Sequence, residues 1–272
     1  TQYRRRFERN RRQPRRPISG RISAGADVSL TDGIIGCWSP SVRGSGYLLP
    51  DLSGRGNHGV LQNMDAGTDW PGAAVRGVHG RVLDCDGSND QAVTALALPA
   101  ASSRTVAMWV LARTTANYCF GTNFGFSNSG LFLGIEVNLL TVTQFGATIR
   151  DTTTFPANVW QHICTAHVGN SYRLYRNGVL VNSGTMTTTP VAAVAYLGSY
   201  GGGGYFNGQI GESLFFQRAI SDAEVHAIYR QGNGAIGRQL TGQTQRRVYG
   251  FVPAGFKPYW ARRQNQIIGG GV

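Results

Sequence analysis

A chain of 272 residues carries 26 basic against 14 acidic side chains, a formal charge of +12, with 41% hydrophobic residues and 38 glycines. The charge is terminal: residues 1–21 carry +8, residues 237–272 carry +6, and residues 22–236 carry −2. This excludes a basic fold as the origin of the charge, and the lack of any apolar run near the roughly 18 residues that span a bilayer excludes a transmembrane helix. The first 30 residues also lack the apolar stretch of a secretory signal, so neither export by that route nor membrane attachment is expected.

The N-terminal arm, residues 1–21, holds Arg4, Arg5, Arg6, Arg9, Arg11, Arg12, Arg15, Arg16 and Arg21 against one Glu. Such an arm repels itself and buries too little apolar surface to offset its ordering entropy, so an extended segment that docks on an acidic surface is expected. The preference for arginine, 25 of the 26 basic residues, suits planar bidentate docking on carboxylate or phosphate. Ile34 to Trp38 reads as the first buried strand, and Pro50 to Leu61 as a glycine-punctuated loop in which Asp51 and Ser53 satisfy backbone N–H groups. Val82 to Val93 reads as strand, turn, strand. Thr105 to Ala112 is a near-continuous apolar run of strand length, which predicts a sheet centre. Leu131 to Val137 and Leu139 to Phe145 follow as strands, and the threonine-rich stretch from Thr141 to Thr154 carries turn signals.

Trp160 to Val168 alternates, with His162 and Cys164 on one face and Ile163 and His167 on the other. Asn177-Gly178 between two strand-like runs predicts a tight hairpin. Tyr205 to Phe216 reads as a pair of strand segments around Gly208 and Gly211, and Ser221-Asp-Ala-Glu224 as a capping box that opens one short helix near residues 221–231. About a dozen short strands and one helix predict an all-β, two-sheet antiparallel sandwich over residues 22–236. The C-terminal arm, 237–272, mixes Arg246, Arg247, Arg262 and Arg263 with Phe251, Phe256, Tyr259 and Trp260, the composition of interface anchors. Cys37, Cys85, Cys119 and Cys164 show no metal-ligand or CxxC spacing and read as reduced core thiols. No Gly-x-Ser-x-Gly, HExxH or P-loop pattern is present.

In this order the segments resemble the laminin-G-like members of the concanavalin A-like jelly-roll superfamily. The resemblance rests on Asp51 to Gly59 (DLSGRGNHG), Leu83 to Asp90 (LDCDGSND), Met108-Trp109, Trp160 to His162 followed by Leu174 to Gly178 (LYRNG), and the closing run Phe206 to Glu224. It implies a jelly-roll sandwich, and a further likeness implies more. Gly46 to Asp51 (GYLLPD), Leu61 to Trp70 (LQNMDAGTDW) and Pro258 to Gly271 are similar to proteins encoded by tailed bacteriophages and phage-like genome regions, which implies a virion component.

The superfamily includes glycoside hydrolases, whose retaining members need two carboxyl groups about 5–5.5 Å apart. Asp84 and Asp86 form the one such alternate-position pair on a strand, so no enzymatic activity is expected. Calcium in related modules sits on loop carboxylates and amides, which points to Asp51, Asp84, Asp86, Asn89 and Asp90. Relatives often carry Asp before the acid of the last strand motif, where this chain has Gly211 before Glu212. Trp70, Tyr200 and Tyr205 are the loop aromatics placed to stack on sugars. The expected role is a noncatalytic virion structural protein, a capsid decoration or tail component. Its arms dock on acidic surfaces of capsid or tail proteins within a large oligomeric particle, and its sandwich reinforces the particle or binds host glycan. The alternatives are a bacterial surface lectin-like adhesion module and a packaging protein whose N-terminal arm contacts nucleic acid.

Overall fold

The computed structural model describes residues 29–242, apart from 45, 76–77, 99–102, 115–116, 123–129, 145–146, 187–192 and 202. The residues assigned to docking in both arms, Arg4 to Arg16 and Arg246 to Arg263, therefore lie outside the described residues.

In chain order the strands are β1 (Ile34–Trp38), β2 (Leu48–Leu49), β3 (Gly59–Gln62), β4 (Gly72–Val75), β5 (Val78–Arg81), β6 (Leu83–Asp86), β7 (Gln91–Leu98), β8 (Ser103–Ala112) and β9 (Asn117–Thr122). They continue as β10 (Leu131–Glu136), β11 (Leu139–Gln144), β12 (Ala147–Thr154), β13 (Gln161–Val168), β14 (Ser171–Arg176), β15 (Val179–Thr185), β16 (Ala193–Leu197) and β17 (Asn207–Phe216). Two helices close the order, α1 (Asp222–Gln231) and α2 (Ala235–Leu240). A seven-stranded sheet runs β1-β17-β8-β13-β14-β15 with β6 also on β17, and an eight-stranded sheet runs β12-β11-β10-β9-β16-β7-β3-β2. The pairings are antiparallel, so the predicted two-sheet sandwich is what the chain forms.

Alternation explains the layers. On β8 the side chains of Val106, Met108, Val110 and Ala112 enter the core between the sheets with Leu133, Val142 and Ile163. The opposite series, Ala107 on β8 with Cys164 and Ala166 on β13, meets Val225 and Ile228 of α1 and Ile236 of α2. The seven-stranded sheet is thus buried on both faces, which is why Thr105 to Ala112 reads as continuously apolar rather than alternating. The helices lie on that sheet, and the eight-stranded sheet keeps its outer face clear of helix among the described residues.

Local signals place the connections. Asn177 at φ 52° and Gly178 at φ 79° form the two-residue turn between β14 and β15, the left-handed pair that matches strand twist. Ser221 Oγ accepts from the Glu224 N–H at 3.3 Å and Glu224 Oε2 accepts from the Ser221 N–H at 2.8 Å, completing the predicted capping box.

Four expectations need correction. The strands among the described residues number seventeen rather than about a dozen, because two- to four-residue pieces such as β2, β4 and β5 are too short to show a period. The threonine-rich stretch is mostly strand, β11 and β12, since threonine suits a pleated surface as well as a turn. Tyr205 to Phe216 holds one strand, β17, with a register shift between Ile210 and Ser213, not two segments. A second helix, α2, crosses residue 236, where the sequence shows only six residues with glycine inside and no helical period.

Candidate functional site

The outer face of the eight-stranded sheet carries a row of side chains built by register. Leu48 on β2 pairs with Val60 on β3, Val60 with Val93 on β7, and Val93 with Tyr196 on β16. Tyr196 pairs with Gly121 on β9, Gly121 with Phe132 on β10, Phe132 with Thr143 on β11, and Thr143 with Thr148 on β12. The row crosses all eight strands, about 34 Å at the usual strand spacing. Tyr200, from the turn after β16, reaches back over the sheet and sets its ring edge-on to Phe132, with centroids 5.5 Å apart.

Beside this row the face is polar. The Thr143 and Thr148 hydroxyls are 3.3 Å apart, and Arg150 Nη2 donates to Glu136 Oε2 at 2.8 Å, spanning the β11 strand between them. Phe132, Tyr196 and Tyr200 are half-buried. An aromatic floor with hydroxyl, guanidinium and carboxylate groups along its edge is the pattern that accepts the C–H face of a sugar ring and its hydroxyls together.

The residues picked out as sugar contacts divide. Tyr200 is brought to this face. Tyr205 is half-buried on the stretch leading into β17. Trp70 is 7% exposed, donates its Nε1–H to the Gly46 carbonyl at 2.9 Å and packs under Gly44, so it is a packing residue with no ring face to offer. Phe132, Tyr196, Thr143, Thr148, Arg150 and Glu136 were not anticipated. The alternation of Leu131 to Glu136 signals that Phe132 points outward, but its neighbours come from strands remote in sequence.

The predicted calcium ligands are not gathered into one shell. Asp51 is buried and its carboxylate accepts the N–H groups of Cys37, Ser53 and Asn57 and the Ser53 hydroxyl, at 2.7–3.0 Å. Asp84 pairs with Arg113 at 2.6 Å and accepts from Gln209. Asp86 caps the turn at Ser88, and its own N–H donates to Asp90 Oδ2 at 2.9 Å. Burial, with Asp86 and Asp69 nearby, pushes the Asp90 carboxyl up to about 6. Asn89 offers its carbonyl to the Asn63 side chain. Among the described residues no group of three or more His, Cys, Asp or Glu is placed to hold a metal ion. Asp84 and Asp86 share a face as expected, but an arginine and a turn occupy them.

Gly211 has a steric reason. A Cβ there would lie 2.5 Å from Asn233 Oδ1 and 3.0 Å from the Trp109 Cβ. The next residue, Glu212, is 2% exposed and accepts from the Gly237 N–H at 2.7 Å, with Ile236 N–H and the Ser39 hydroxyl also bound to its carboxyl. Burial outweighs these bonds and pushes its pKa up to about 7. Glu212 therefore fastens α2 to the sandwich and is not a surface ligand. Cys37, Cys85 and Cys164 are buried and lie in no disulfide, and burial raises the pKa of Cys37 and Cys164. Cys119 lies on β9. His162 and His167 face opposite sides of β13, as the alternation predicts: His162 packs beside Trp109 and His167 stacks on Tyr172 in the interior.

The family model for laminin-G-like sequences, described as the concanavalin A-like lectin/glucanases superfamily, matches residues 86–226. No curated protein matches the chain. Among solved structures, domain 4 of the extracellular GH43 arabinanase AbnA from Geobacillus stearothermophilus, in complex with arabinotriose, is similar at 20% identity and a TM-score of 0.57. That match covers 72% of this chain and 98% of the domain. The binding domain of Paraclostridial Mosquitocidal Protein 1 is similar at 16% identity and a TM-score of 0.55, covering 74% of this chain and 52% of that one. The binding domain of Botulinum Neurotoxin DC, in complex with SialylT, is similar at 13% identity and a TM-score of 0.54, covering 75% and 52%. The chain therefore spans about half the length of the two toxin domains, and at these identities the likeness is one of fold.

Proposed function

Since the chain belongs to the concanavalin A-like lectin/glucanases superfamily, we propose that it is a noncatalytic, lectin-like module that holds carbohydrate on the outer face of its eight-stranded sheet. The observation that carries this reading is the row from Leu48 to Thr148, an aromatic and hydroxyl-bearing strip on a sheet face without a helix over it among the described residues. The arabinanase domain in complex with arabinotriose and the neurotoxin domain in complex with SialylT support the choice of ligand class. The noncatalytic reading is supported by Asp84 and Asp86, whose carboxylates are held by Arg113 and by a turn.

In the finer form of the proposal, the module is a virion component. The net +8 and +6 of the two ends anchor it to acidic surfaces of capsid or tail proteins, while the near-neutral sandwich stays displayed. Glycan-array binding by the full chain, followed by incubation with the best ligand and an assay for new reducing ends, tests the module. Binding without cleavage is expected; cleavage, or no binding to any glycan, contradicts it. Deleting residues 1–21 or 249–272 tests the anchoring: loss from purified particles with the sandwich still folded is expected, and normal occupancy of both truncations contradicts it. Retention of the full chain on DNA with a steep salt slope would favour the packaging role instead.

A further inference from the structure

The eight-stranded sheet is nearly without charge. Of all the residues on its strands only Glu136, Arg150 and Asp151 are ionic, whereas the strands of the other sheet carry Asp84, Asp86, Arg104, Arg173, Arg176 and Glu212. Asp151 is buried, and Arg176 of the other sheet pairs with it at 3.1 Å. That leaves Glu136 and Arg150 on the outer face, joined to each other at 2.8 Å. The connections around the aromatic half of the row add nothing to this balance. Residues 123–130, 137–138, 145–146, 186–192 and 198–206 contain no Asp, Glu, Lys, Arg or His.

The pair stands beside the row. Arg150 is two residues beyond Thr148 on β12, on the same face and about 7 Å along the strand. Glu136 is four residues beyond Phe132 on β10, again on the same face. Both side chains are reachable, with 41% of Arg150 and 26% of Glu136 exposed. For a neutral sugar the pair is a matched set: Arg150 donates N–H groups and the Glu136 carboxylate accepts hydroxyl protons, next to the Thr143 and Thr148 hydroxyls. For an acidic sugar it is a mismatch. The ligand's carboxylate would lie against Glu136, and the Arg150 charge is already opposed by that same carboxylate, so the like charges count against binding.

The row also sets a length. Tyr196 on β16 and Thr148 on β12 lie four strand spacings apart, about 19 Å. Each unit of an extended sugar chain advances by roughly one such spacing, so about four units cover the distance.

We infer that the ligand of this face is an uncharged, linear oligosaccharide of about four units, lying across the strands from Tyr196 to Thr148, and that Glu136 is the residue that excludes acidic sugars. The inference rests on the carbohydrate-binding reading proposed above and gives it a substrate class.

The test is an array of neutral gluco-, galacto-, manno-, xylo- and arabino-oligosaccharides, from disaccharides to hexasaccharides, beside oligogalacturonates and sialyllactoses. The full wild-type chain is expected to bind members of a neutral series, with affinity rising up to about four units and no further, and to pass over the acidic glycans. Glu136→Gln removes the opposing carboxylate and leaves Arg150 unbalanced, so it is expected to gain at least about tenfold in affinity for an oligogalacturonate or a sialyllactose. A gain of binding cannot come from a misfolded variant, and if Glu136→Gln does not fold, the wild-type comparison of neutral with acidic glycans decides alone. Acidic glycans bound by the wild-type chain as tightly as neutral ones overturn the inference, and so does a folded Glu136→Gln variant that still passes over them. Either result leaves the carbohydrate reading standing. Binding to no glycan of either kind removes that reading and this inference with it, so the two failures are distinguishable.

Discussion

Glu212 shows how one side chain links the last strand to the final helix. Its carboxyl is buried between β17 and α2, with backbone N–H groups and Ser39 around it, and the Arg238 charge acts on it without making an ion pair. Its folded pKa near 7 is raised above the ordinary value of 4.5. For a raised group the stabilising contribution is full below the unfolded value and is lost as pH rises through the folded one. Stability should therefore fall between about pH 4.5 and 7, by roughly 3 kcal/mol at most. Glu212→Gln should flatten that part of the profile, measured by urea unfolding across the range. Asp90, raised to about 6, adds a smaller slope of the same sign. Its neighbour in the last strand, Gly211, gives a second prediction. Gly211→Asp, which would supply the acid that the family resemblance implies at this position, forces a Cβ to within 2.5 Å of Asn233 Oδ1 and should destabilise by about 1–3 kcal/mol. A stable Gly211→Asp variant that binds calcium would show that Asn233 moves aside.

Elements were legible in the sequence where their cause is local. The β14–β15 hairpin follows from Asn177-Gly178, and α1 from Ser221 and Glu224, because each signal lies within four residues. The tight turn is also a contact: a Cβ at Gly178 would meet Tyr229 Cδ1 at 2.9 Å, in a residue already at φ 79°. Gly178→Ala should cost more than about 1 kcal/mol, seen as a lower urea midpoint with unchanged slope. By contrast α2 has no helical period and no side-chain bond at its N-cap. Gly234 at its N-cap makes no side-chain cap bond, and the helix is held by Glu212, a residue 25 positions before Gly237. Only the tertiary contact reveals it. Glu212→Gln should accordingly speed hydrogen exchange at Gly237 more than in β8 or β13.

At the scale of the whole molecule, the layers were readable and the row on the outer face of the eight-stranded sheet was not. The continuous apolar run of β8 announces a doubly covered sheet, and the charge distribution separates two basic ends from a near-neutral middle. The row on the eight-stranded sheet depends on seven strand pairings that bring Leu48 and Thr148 onto one surface, and no pattern within a single strand encodes that. Loop position suggested Trp70 as a sugar contact, yet the Gly44 approach and the Gly46 carbonyl bury it. The central claim is that carbohydrate lies on the Phe132–Tyr196 strip. Calorimetric titration of the full chain with the best array ligand should be compared with Phe132→Ala and Tyr196→Ala, each shown to be folded by circular dichroism. Each substitution is predicted to weaken binding by about tenfold or more, as expected for losing one stacking ring; wild-type affinity in both folded variants would contradict the account.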